Sequence, residues 1–577
     1  MPTIADQMVR MLQQVGVKRI YGIVGDSLNP VVDAVRRTPG IDWVHVRHEE
    51  TAAFAAAAEA QLTGQLAVCA GSCGPGNLHL INGLYDAHRS GAPVLAIASH
   101  IASAEIGTGF FQETHPEQLF QECSLFSELV SQAEQMPRLL RIAMQTAIGR
   151  SGVAVLTIPG DVAERETLDP DAVAPALVRS SPVVPPTDQV EALAALLNAA
   201  RRVMLFCGAG CRGVHDEVME LAGQLAAPVG HSLGGKEWIQ YDNPFDVGMS
   251  GLLGYGACYD AMQAADLVLL LGTDFPYDSF LPQARTVQVD IDPARLGRRT
   301  PLELGVHGDV GATLRAVLPL VREKNDRSYL DRMLRAHAER LERVVEAYTS
   351  RIEHRRPIHP EYAAAILDDV ATEDAVFTVD TGMGNVWAAR YLSPTGRRRV
   401  IGSFRHGSMA NALPHAIGAQ LAYPARQVVS ISGDGGLAML MGDLLTLPAY
   451  NLPVKVVLFN NASLGMVRLE MLVDGLPAYG TDHAAVDFSA IAHACGLFSV
   501  RVEDPAKVQD GLSRAFSHPG PALVELVTDP NAMSIPPRIT GEMLRGFALA
   551  ASRTVLDGGV GKMIELARSN LRNIPRP

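Results

Sequence analysis

The 577-residue chain is predicted to fold as an α/β protein with three consecutive parallel-sheet domains and a C-terminal helical tail. Two observations predict this class. Short apolar runs such as RIYGIV, VMLFCG and VKVVLF alternate with helical patterns, and most of them end in Gly, Asp, Asn or Ser. This alternation is typical of parallel strands joined by crossover helices. The length also exceeds a single hydrophobic core, since one domain takes about 150 residues.

Two polar segments of the sequence predict the domain boundaries. Residues 180–188 (SSPVVPPTD) form a proline-rich polar connector, and residues from about 322 to 356 form a highly charged helical stretch before Pro357. We therefore expect domains at 1–180, 181–335 and 336–530, with a tail at 531–577.

Composition excludes several function classes. The net charge of −13 argues against general nucleic-acid binding, because an acidic surface repels phosphate backbones. The first residues contain Asp6 and lack the apolar core of a signal peptide, and no apolar run reaches the roughly 18 residues of a membrane span. The seven cysteines are scattered without zinc-binding spacing. A reduced, cytoplasmic protein is the simplest interpretation.

The strongest motif in the chain combines a glycine turn with two strand ends. The run QVVSIS leads into Gly433-Asp434-Gly435-Gly436, and the next strand, VKVVLF, ends at Asn460-Asn461. Glycines and a helix start allow backbone N–H groups to approach a phosphate. If the two strands are neighbours, Asp434 and Asn461 offer oxygen ligands for Mg²⁺ beside that phosphate. The alternative is an ordinary glycine turn and an unrelated Asn pair.

The combination of GDG with a following helix, strand and NN resembles the thiamine-diphosphate-dependent enzyme family. Longer segments resemble the bacterial quinone-linked pyruvate dehydrogenases within that family. These segments are CAGSCGPGNLHLINGLYDAHRSGAPVLAIASHI, GFFQETHPEQLFQECS, GKEWIQYDNPFDVGM, GSFRHGSMANALPHAIGAQ and SIPPRI. The resemblance covers nearly the whole chain. It implies that the three domains bind the pyrimidine of thiamine, FAD and the diphosphate, in that order.

The resemblance places the activating acid at Glu49. His48-Glu49-Glu50 ends a strand and opens an Ala-rich helix, and the family has a strand-end Glu there that hydrogen-bonds the aminopyrimidine ring. An apolar setting would favour the protonated, donating acid. The alternative is that both carboxylates merely favour a helix N-terminus.

The resemblance assigns further residues to the thiamine site. Met409 would wedge the two rings of the cofactor into a bent shape, and Phe111 and Gln112 would lie over the reacting carbon. Met466 stands where the relatives carry an aromatic Phe, so the rate or substrate range could differ. The residues implied to contact thiamine diphosphate and Mg²⁺ are Glu49, Gly407, Ser408, Met409, Asp434, Gly435, Gly436, Asn461, Ala462, Ser463, Leu464, Gly465, Met466 and Val467. HGSMANALP could instead be helix-start packing, and FQET an ordinary loop.

FAD is expected in the middle domain. Gly208, Gly210 and Gly213 follow a strand in a GxGxxG pattern, but no ribose-binding acid follows about 20 residues later. The resemblance implies an FAD site lined by Ser250, Gly251, Leu252, Leu253, Thr273, Asp274, Phe275, Pro276, Tyr277 and Asp290. Plain strand-end loops are the alternative.

These assignments predict oxidative decarboxylation of pyruvate to acetate and CO₂, with electrons passing through FAD to ubiquinone. One alternative is an oxidase that uses oxygen and phosphate. Another is an acetolactate-synthase-like ligase, or a decarboxylase, with structural FAD. A non-catalytic FAD- or diphosphate-binding scaffold is the fourth, although a scaffold has no need of Glu49.

The tail and the assembly complete the sequence prediction. Val560, Met563, Ile564, Ala567, Leu571 and Ile574 share one helical face beyond Gly558 and Gly559. A basic amphipathic helix of this kind can lie on a phospholipid surface, which would place the protein peripherally on the inner face of the cell membrane. The alternative is a terminal helix packed on the body. The resemblance implies a dimeric active unit, commonly paired into a tetramer.

Overall fold

The computed structural model describes residues 2–169, 172–174, 176–282, 284–532, 541–556 and 560–570. The predicted fold class is confirmed, because three α/β domains follow one another along the chain and each is built on its own predominantly parallel sheet. No helix in these described ranges is long and apolar enough to cross a membrane.

The N-terminal domain has a six-stranded parallel sheet. Its strands are β1 (Arg19–Gly22), β2 (Asp42–His45), β3 (Ala67–Gly71), β4 (Val94–His100), β5 (Phe126–Leu129) and β6 (Val153–Pro159). Its helices are α1 (Ile4–Gln14), α2 (Asn29–Arg37), α3 (Glu49–Thr63), α4 (Pro75–Ser90), α5 (Pro116–Leu119), α6 (Met136–Arg150) and α7 (Gly160–Glu164). The spatial order of the strands is β2-β1-β3-β4-β6-β5. Every residue of β4 and β6 is buried, as expected for parallel strands covered by helices on both faces.

The central domain has a seven-stranded sheet. Its strands are β7 (Val203–Cys207), β8 (Val229–His231), β9 (Asp246–Met249), β10 (Tyr255–Gly256), β11 (Leu267–Leu271), β12 (Arg285–Asp290) and β13 (Leu304–His307). Its helices are α8 (Thr187–Ala199), α9 (His215–Leu225), α10 (Leu233–Ile239), α11 (Cys258–Ala264), α12 (Val310–Val317) and α13 (Ser328–Arg340). The order is β10-β9-β8-β7-β11-β12-β13, with β10 antiparallel to β9.

The C-terminal domain has a second six-stranded parallel sheet. Its strands are β14 (Val376–Val379), β15 (Arg399–Gly402), β16 (Val428–Gly433), β17 (Lys455–Asn460), β18 (Phe498–Val502) and β19 (Ala522–Val527). Its helices are α14 (Pro360–Val370), α15 (Met383–Tyr391), α16 (Ala412–Ala422), α17 (Asp434–Leu440), α18 (Thr446–Ala449), α19 (Gly465–Val473), α20 (Phe488–Ala494) and α21 (Val508–Ser517). The order β15-β14-β16-β17-β19-β18 repeats the connectivity of the N-terminal sheet.

The N- and C-terminal domains pack directly against each other through α3 and α16. Gly418 permits this close approach, because a methyl group added there would lie 2.1 Å from the carbonyl oxygen of Ala55. Buried polar contacts cross the same boundary. Thr51 Oγ1 donates to Asp443 Oδ2 at 2.6 Å, and His415 Nε2 lies 3.2 Å from Asp86 Oδ2. The Ala-rich character of α3 therefore serves helix packing between the two domains.

The tail forms two helices, α22 (Gly541–Leu556) and α23 (Val560–Asn570). Ala550 and Leu566 pack on Leu472 of α19. Two members of the predicted apolar face, Ile564 and Ala567, are exposed, so the face that packs on the body is a different one. Leu571 and Ile574 of that face, the glycines at 558 and 559, and all of SIPPRI lie outside the described residues.

Candidate active site

Glu49 lies at the first turn of α3, directly after the end of β2. His48 caps the helix, and its Nδ1 accepts a hydrogen bond from the Glu50 N–H at 3.2 Å. The Glu49 side chain is buried and only 7% of the residue is exposed. Its Oε2 lies 2.9 Å from Nδ1 of His79 on α4. The Glu49 carboxylate is therefore largely shielded from water, although the side chain of His79 is partly exposed.

Glu50 has a different environment from Glu49. Its Oε1 accepts from Asn82 Nδ2 at 2.7 Å, and the same amide nitrogen donates to Ser408 Oγ of the C-terminal domain at 2.8 Å. Asn82 Oδ1 also lies 2.8 Å from His406 Nε2. Glu50 is therefore held in a network that connects two domains, which leaves Glu49 as the carboxylate better placed to act on a ligand.

His48, Glu49 and His79 bring three potential metal-ligand atoms within 4.8 Å of one another. The two imidazole rings are stacked, with centroids 4.4 Å apart and an interplanar angle of 26°. Nitrogen lone pairs lie in the ring plane, so two stacked rings do not both point at one ion between them. We interpret the cluster as a support that orients the Glu49 carboxylate.

The turn Gly74-Pro75-Gly76 separates Glu49 from Gln112. A methyl group added at Gly76 would lie 3.1 Å from Glu49 Oε1, and one added at Gly74 would lie 2.9 Å from the Gln112 backbone oxygen. Gly74 also has a φ of +66°, which favours glycine. The turn is therefore small because it packs between two predicted site residues.

Phe111 and Gln112 project from a loop that Glu113 organises. The Glu113 carboxylate accepts hydrogen bonds from the backbone N–H groups of Gly107, Gly109 and Phe110, and these bonds lower its pKa. Phe111 is 78% exposed, and Gln112 has a φ of +63°. A non-glycine residue in the left-handed region is strained, and such strain clusters at functional sites.

The strand ends that carry Asp434 and Asn461 are neighbours, as the sequence predicts. Strands β16 and β17 pair in parallel with Gly433 opposite Phe459, so Asp434 and Asn460 occupy matching positions just beyond. Asn460 turns into the core, where its Nδ2 donates to Glu525 Oε1 at 2.7 Å. Asn461 is half-buried at the sheet edge, and its Oδ1 accepts from Ser463 N at 3.0 Å. Asn461 is therefore the member of the pair that a ligand can reach.

Asp434 suits a cation ligand. The residue is 4% exposed, and burial raises its pKa despite the opposing effects of His483 and nearby backbone N–H groups. A buried carboxyl of this kind gains from a metal ion, because the ion offsets the cost of keeping the charge out of water. Mg²⁺ prefers oxygen ligands, and the Asp434 carboxylate and Asn461 amide carry oxygens of the kind that it would need.

The loop from Ala462 to Val467 closes over the same edge. Ala462 has a φ of +53°, its carbonyl accepts from His483 N, and Leu464 N donates to Thr481 O at 2.8 Å. Ser463 Oγ is buried without a hydrogen-bond partner. A polar atom orphaned beside a predicted phosphate site fits a bound ligand. Gly465 and Met466 begin α19, where Met466 is partly buried and Val467 is exposed.

Residues 407–409 reach the glycine turn from the other side. Gly407 has a φ of +79°, and Ser408 N donates to Ser403 Oγ at 3.0 Å. The Met409 Cε atom would lie 3.4 Å from a methyl group added at Gly435. Met409, which is predicted to wedge the two rings of the cofactor, therefore lies close to the glycine turn that is predicted to bind the diphosphate.

Asp380 and the turn after it are site residues that the sequence reasoning missed. Asp380 follows β14, the neighbour of β16, and its Oδ2 would lie 1.8 Å from a methyl group added at Gly436. Burial raises the pKa of Asp380 to about 7. Gly382, with a φ of +123°, then opens α15 at the same sheet edge. The signal available was a third strand end, VDTGMG, with glycines before a helix.

Within the described part of the chain, Glu49 connects to the sheet edge of Asp434 and Asn461, the predicted ion-ligand edge, through intermediate residues. Asn82 bonds Ser408, and Met409 reaches Gly435. Across the described residues, Glu49 forms no hydrogen bond or ion pair with Asp434 or Asn461. The two halves of the predicted site therefore make no direct polar contact within the described part of one chain.

The predicted FAD residues cluster at the carboxyl ends of the central strands. Phe275 and Tyr277 pack edge to face at 5.5 Å over Gly251, whose φ is +106°. Ser250 Oγ is buried without a partner, a sign of a missing ligand contact. The remaining members of this set follow the same strands: Leu252, Leu253, Thr273, Asp274 and Pro276.

The acids of this edge differ in their partners. Asp274 is paired with Arg298 and Arg299. Asp290, the last residue of β12, is buried, and its Oδ1 accepts from Asp292 N at 2.9 Å. Burial raises the pKa of Asp290. A strand-end acid of this kind can accept a ribose hydroxyl, so Asp290 fits the sugar of a dinucleotide better than Asp274 does.

The glycines of the GxGxxG pattern have a packing role. Methyl groups added at Gly208 and Gly210 would lie 2.5 and 2.6 Å from atoms of Gly272. Two backbone segments therefore meet there. Gly213, with a φ of +74°, faces open space. The pattern alone is weak support for a cofactor, and the FAD prediction rests on the loops beyond it.

Comparison with known proteins identifies the three domains. The N-terminal thiamine pyrophosphate binding domain matches residues 2–119, the central domain of thiamine pyrophosphate enzymes matches residues 190–317, and the C-terminal binding domain matches residues 380–526. The Bacillus subtilis protein YdaP, provisionally described as containing thiamine pyrophosphate, is 35% identical over 98% of both chains.

Two relatives have named activities. A pyruvate oxidase of Lactiplantibacillus plantarum is 31% identical over 90% of this chain and 87% of its own length. An acetolactate synthase of Mycobacterium bovis is 31% identical over 92% of this chain and 89% of its own length. The chain therefore belongs to the thiamine pyrophosphate enzyme family.

Proposed function

We propose that the protein oxidatively decarboxylates pyruvate to acetate and CO₂, using thiamine diphosphate, Mg²⁺ and FAD, and passes the electrons to ubiquinone. The observation that carries the proposal is the pairing of two neighbouring strand ends, which brings the oxygens of Asp434 and Asn461 to one sheet edge. A buried Glu49 beside His79, and buried polar groups without protein partners in the central domain, support it. Similarity to a pyruvate oxidase supports pyruvate as the substrate.

Each half of the site has a chemical task. Asp434 and Asn461 would hold Mg²⁺, with the glycine turn presenting N–H groups to the diphosphate. Glu49, oriented by His79 at 2.9 Å, would hold a proton at the aminopyrimidine ring. Thiamine diphosphate supplies an electron sink for decarboxylation. Met409, Phe111 and Gln112 would shape and shield the reacting centre.

The redox state of FAD distinguishes the proposed oxidation from a ligation reaction. An oxidation draws two electrons into the flavin, whereas an acetolactate-synthase-like ligase would keep FAD oxidised. Anaerobic mixing of the holoenzyme with pyruvate tests the difference. Flavin bleaching supports the redox reaction, while an unchanged flavin spectrum with acetolactate formed would overturn it. The ligase stays the second candidate because a relative with that name is equally similar.

The electron acceptor needs a separate experiment. We expect turnover with ubiquinone and with dye in a panel of ubiquinone, oxygen and dye, each assayed with and without phospholipid. Hydrogen peroxide together with acetyl phosphate would instead identify an oxidase that uses oxygen and phosphate.

We also propose that the working site forms between two chains, within a homo-oligomer that is a tetramer by family resemblance. Exposed apolar side chains near both halves of the site support this, among them Phe110, Phe111, Met439, Leu445 and Tyr479. Mixing inactive Glu49→Gln chains with inactive Asp434→Ala chains tests the idea. Hybrid oligomers should regain activity if acid and ion come from different chains, and no recovery would place both in one chain.

The tail is proposed to regulate the enzyme at a phospholipid surface on the inner face of the cell membrane. Exposed Ile564 and Ala567 on α23 support this, and α22 packs on α19, whose first turn carries Met466. Deleting residues from Gly558 onward should abolish stimulation by lipid while sparing ferricyanide reduction. Unchanged lipid activation in the truncated enzyme would contradict the proposal.

A further inference from the structure

The loop between β3 and α4 holds a buried thiol against Gln112. The Cys73 Sγ atom donates to Gln112 Oε1 at 3.3 Å, and Cys73 is 4% exposed. Its backbone N–H donates to Ser27 Oγ at 3.0 Å, and this hydroxyl lies 3.0 Å from Ser72 Oγ. The backbone that carries the thiol is therefore held by a pair of hydrogen-bonded hydroxyl groups.

The backbone and the amide oxygen of Gln112 are both held by neighbouring residues. Its backbone is in the left-handed region with a φ of +63°, and Gly74 packs on its Cα, Cβ and carbonyl oxygen. The next residue, Glu113, fastens the preceding turn through three backbone N–H groups. Among the described residues, no protein acceptor takes a hydrogen bond from Gln112 Nε2, and this side chain is only half-buried.

The chemistry of the thiol sets the orientation of the amide. A thiol offers one weak donor, and its sulfur is a weak acceptor, so the amide oxygen is its better partner. Once the oxygen is engaged, the two N–H bonds of Gln112 are left for a ligand. Amino-group donors match the carboxylate and keto oxygens of a 2-oxo acid.

We propose that Cys73 is a positioning residue that holds the Gln112 amide with its oxygen inward and its amino group toward the oxygens of the bound 2-oxo acid. This inference rests on the proposed function, because it takes Gln112 to face the substrate. It adds a residue of this chain that acts through Gln112 and touches no substrate itself.

A double-mutant cycle in the holoenzyme tests the inference with two readouts. The first is kcat/KM for pyruvate with a dye acceptor, and the second is the Kd of an acylphosphonate analogue of pyruvate measured by calorimetry. Cys73→Ala should weaken both by about fivefold, the size of one net hydrogen bond. Cys73→Ser should stay within about twofold of the parent, because its hydroxyl can donate to the same oxygen. In a Gln112→Ala background, Cys73→Ala should cause no further loss.

Cys123→Ala is the matched control. Cys123 is a buried thiol of the same domain that donates to the Phe120 carbonyl and does not contact Gln112. It should leave both readouts unchanged. An equal loss from Cys73→Ala with and without Gln112 would overturn the inference, as would a Cys73→Ser variant as impaired as Cys73→Ala. Binding of the analogue does not require flavin reduction, so failure of the redox proposal is seen separately.

Discussion

The N- and C-terminal domains use the same sheet order at different strand ends. Both sheets follow the connectivity 2-1-3-4-6-5 when strands are counted within each domain. In the first domain the proposed activating acid, Glu49, follows the second strand. In the third domain the proposed ion ligands, Asp434 and Asn461, follow the third and fourth strands.

The corresponding positions show why the two halves fit together. The third strand of the first domain leads into the turn at Gly74, and the third strand of the last leads into the turn at Gly435. The helices after the second strands, α3 and α16, pack on each other. The same sheet order thus carries the proposed acid in one domain and the proposed oxygen ligands in the other. Function follows the residues at the strand ends, as is general for parallel α/β sheets.

The largest expected effect distinguishes Glu49 from the adjacent acid, Glu50. Glu49→Gln should lower kcat by about 10²- to 10⁴-fold, the range for a lost acid–base group, while thiamine diphosphate still binds. Glu50→Gln should keep most of the turnover, because Glu50 is engaged by Asn82. Steady-state kinetics at saturating cofactor measures both. Equal losses in the two variants would show that the different hydrogen-bond partners of Glu49 and Glu50 do not determine which of them acts in catalysis.

The next largest effect distinguishes Asn461 from the adjacent amide, Asn460. Asn461→Ala should weaken Mg²⁺-dependent cofactor binding on the order of 10- to 100-fold, as for groups that support metal sites. Asn460→Ala should instead lower the unfolding temperature, because it removes one of the hydrogen-bond donors to the buried Glu525 carboxylate. Calorimetric titration and thermal unfolding of both variants distinguish the roles. The reverse pattern would move the ligand to Asn460.

The buried carboxyl of Asp380, in the last domain, should make the stability of the protein depend on pH. Burial raises the pKa of Asp380 from its ordinary value of 3.8 to about 7, so the folded state holds a proton that the unfolded state releases between these values. The stability of the parent apo protein should therefore fall as pH rises across this window. Relative to the parent, the free energy of unfolding of Asp380→Asn should rise by up to about 1.4 kcal/mol for each pH unit within this window. Thermal unfolding from pH 4 to 8 checks this, and a pH-independent difference would contradict it.

Met466 is expected to give the smallest change. It is partly buried at the start of α19, beside the loop that covers the ion-ligand edge. A volume-changing apolar substitution there typically costs less than about 3 kcal/mol. Met466→Phe should alter the rate of flavin reduction by pyruvate while leaving Mg²⁺ affinity unchanged, as stopped-flow absorbance and titration will show. A change in Mg²⁺ affinity would indicate a structural role.

The sequence predicted the fold because burial in a parallel sheet leaves a strong apolar pattern, as in VLAIASH and VAVLTIP. It also placed Asp434 and Asn461 at one edge, since neighbouring parallel strands end together. It could not place Asp380, because the importance of that carboxyl depends on contact with Gly436, a residue on another strand end.

Other features needed three-dimensional contacts for similar reasons. The glycines at 208 and 210 match a cofactor pattern, yet their small size serves contact with distant Gly272. His79 and Asn82 are spaced three apart on α4 and face the adjacent acids of α3, which helical spacing alone could have suggested. The tail prediction chose an apolar face by periodicity, but Leu566, outside that face, makes the contact with the body.

Proton exchange at the thiazolium carbon of the bound cofactor tests the central claim most directly, because it reports whether Glu49 and the ion-ligand edge serve one thiamine molecule. In deuterium oxide, quench-flow NMR should show fast exchange in the parent holoenzyme. Glu49→Gln should slow this exchange by on the order of 100-fold or more while Mg²⁺ and cofactor remain bound. Exchange as fast as in the parent, with the cofactor bound, would contradict the account.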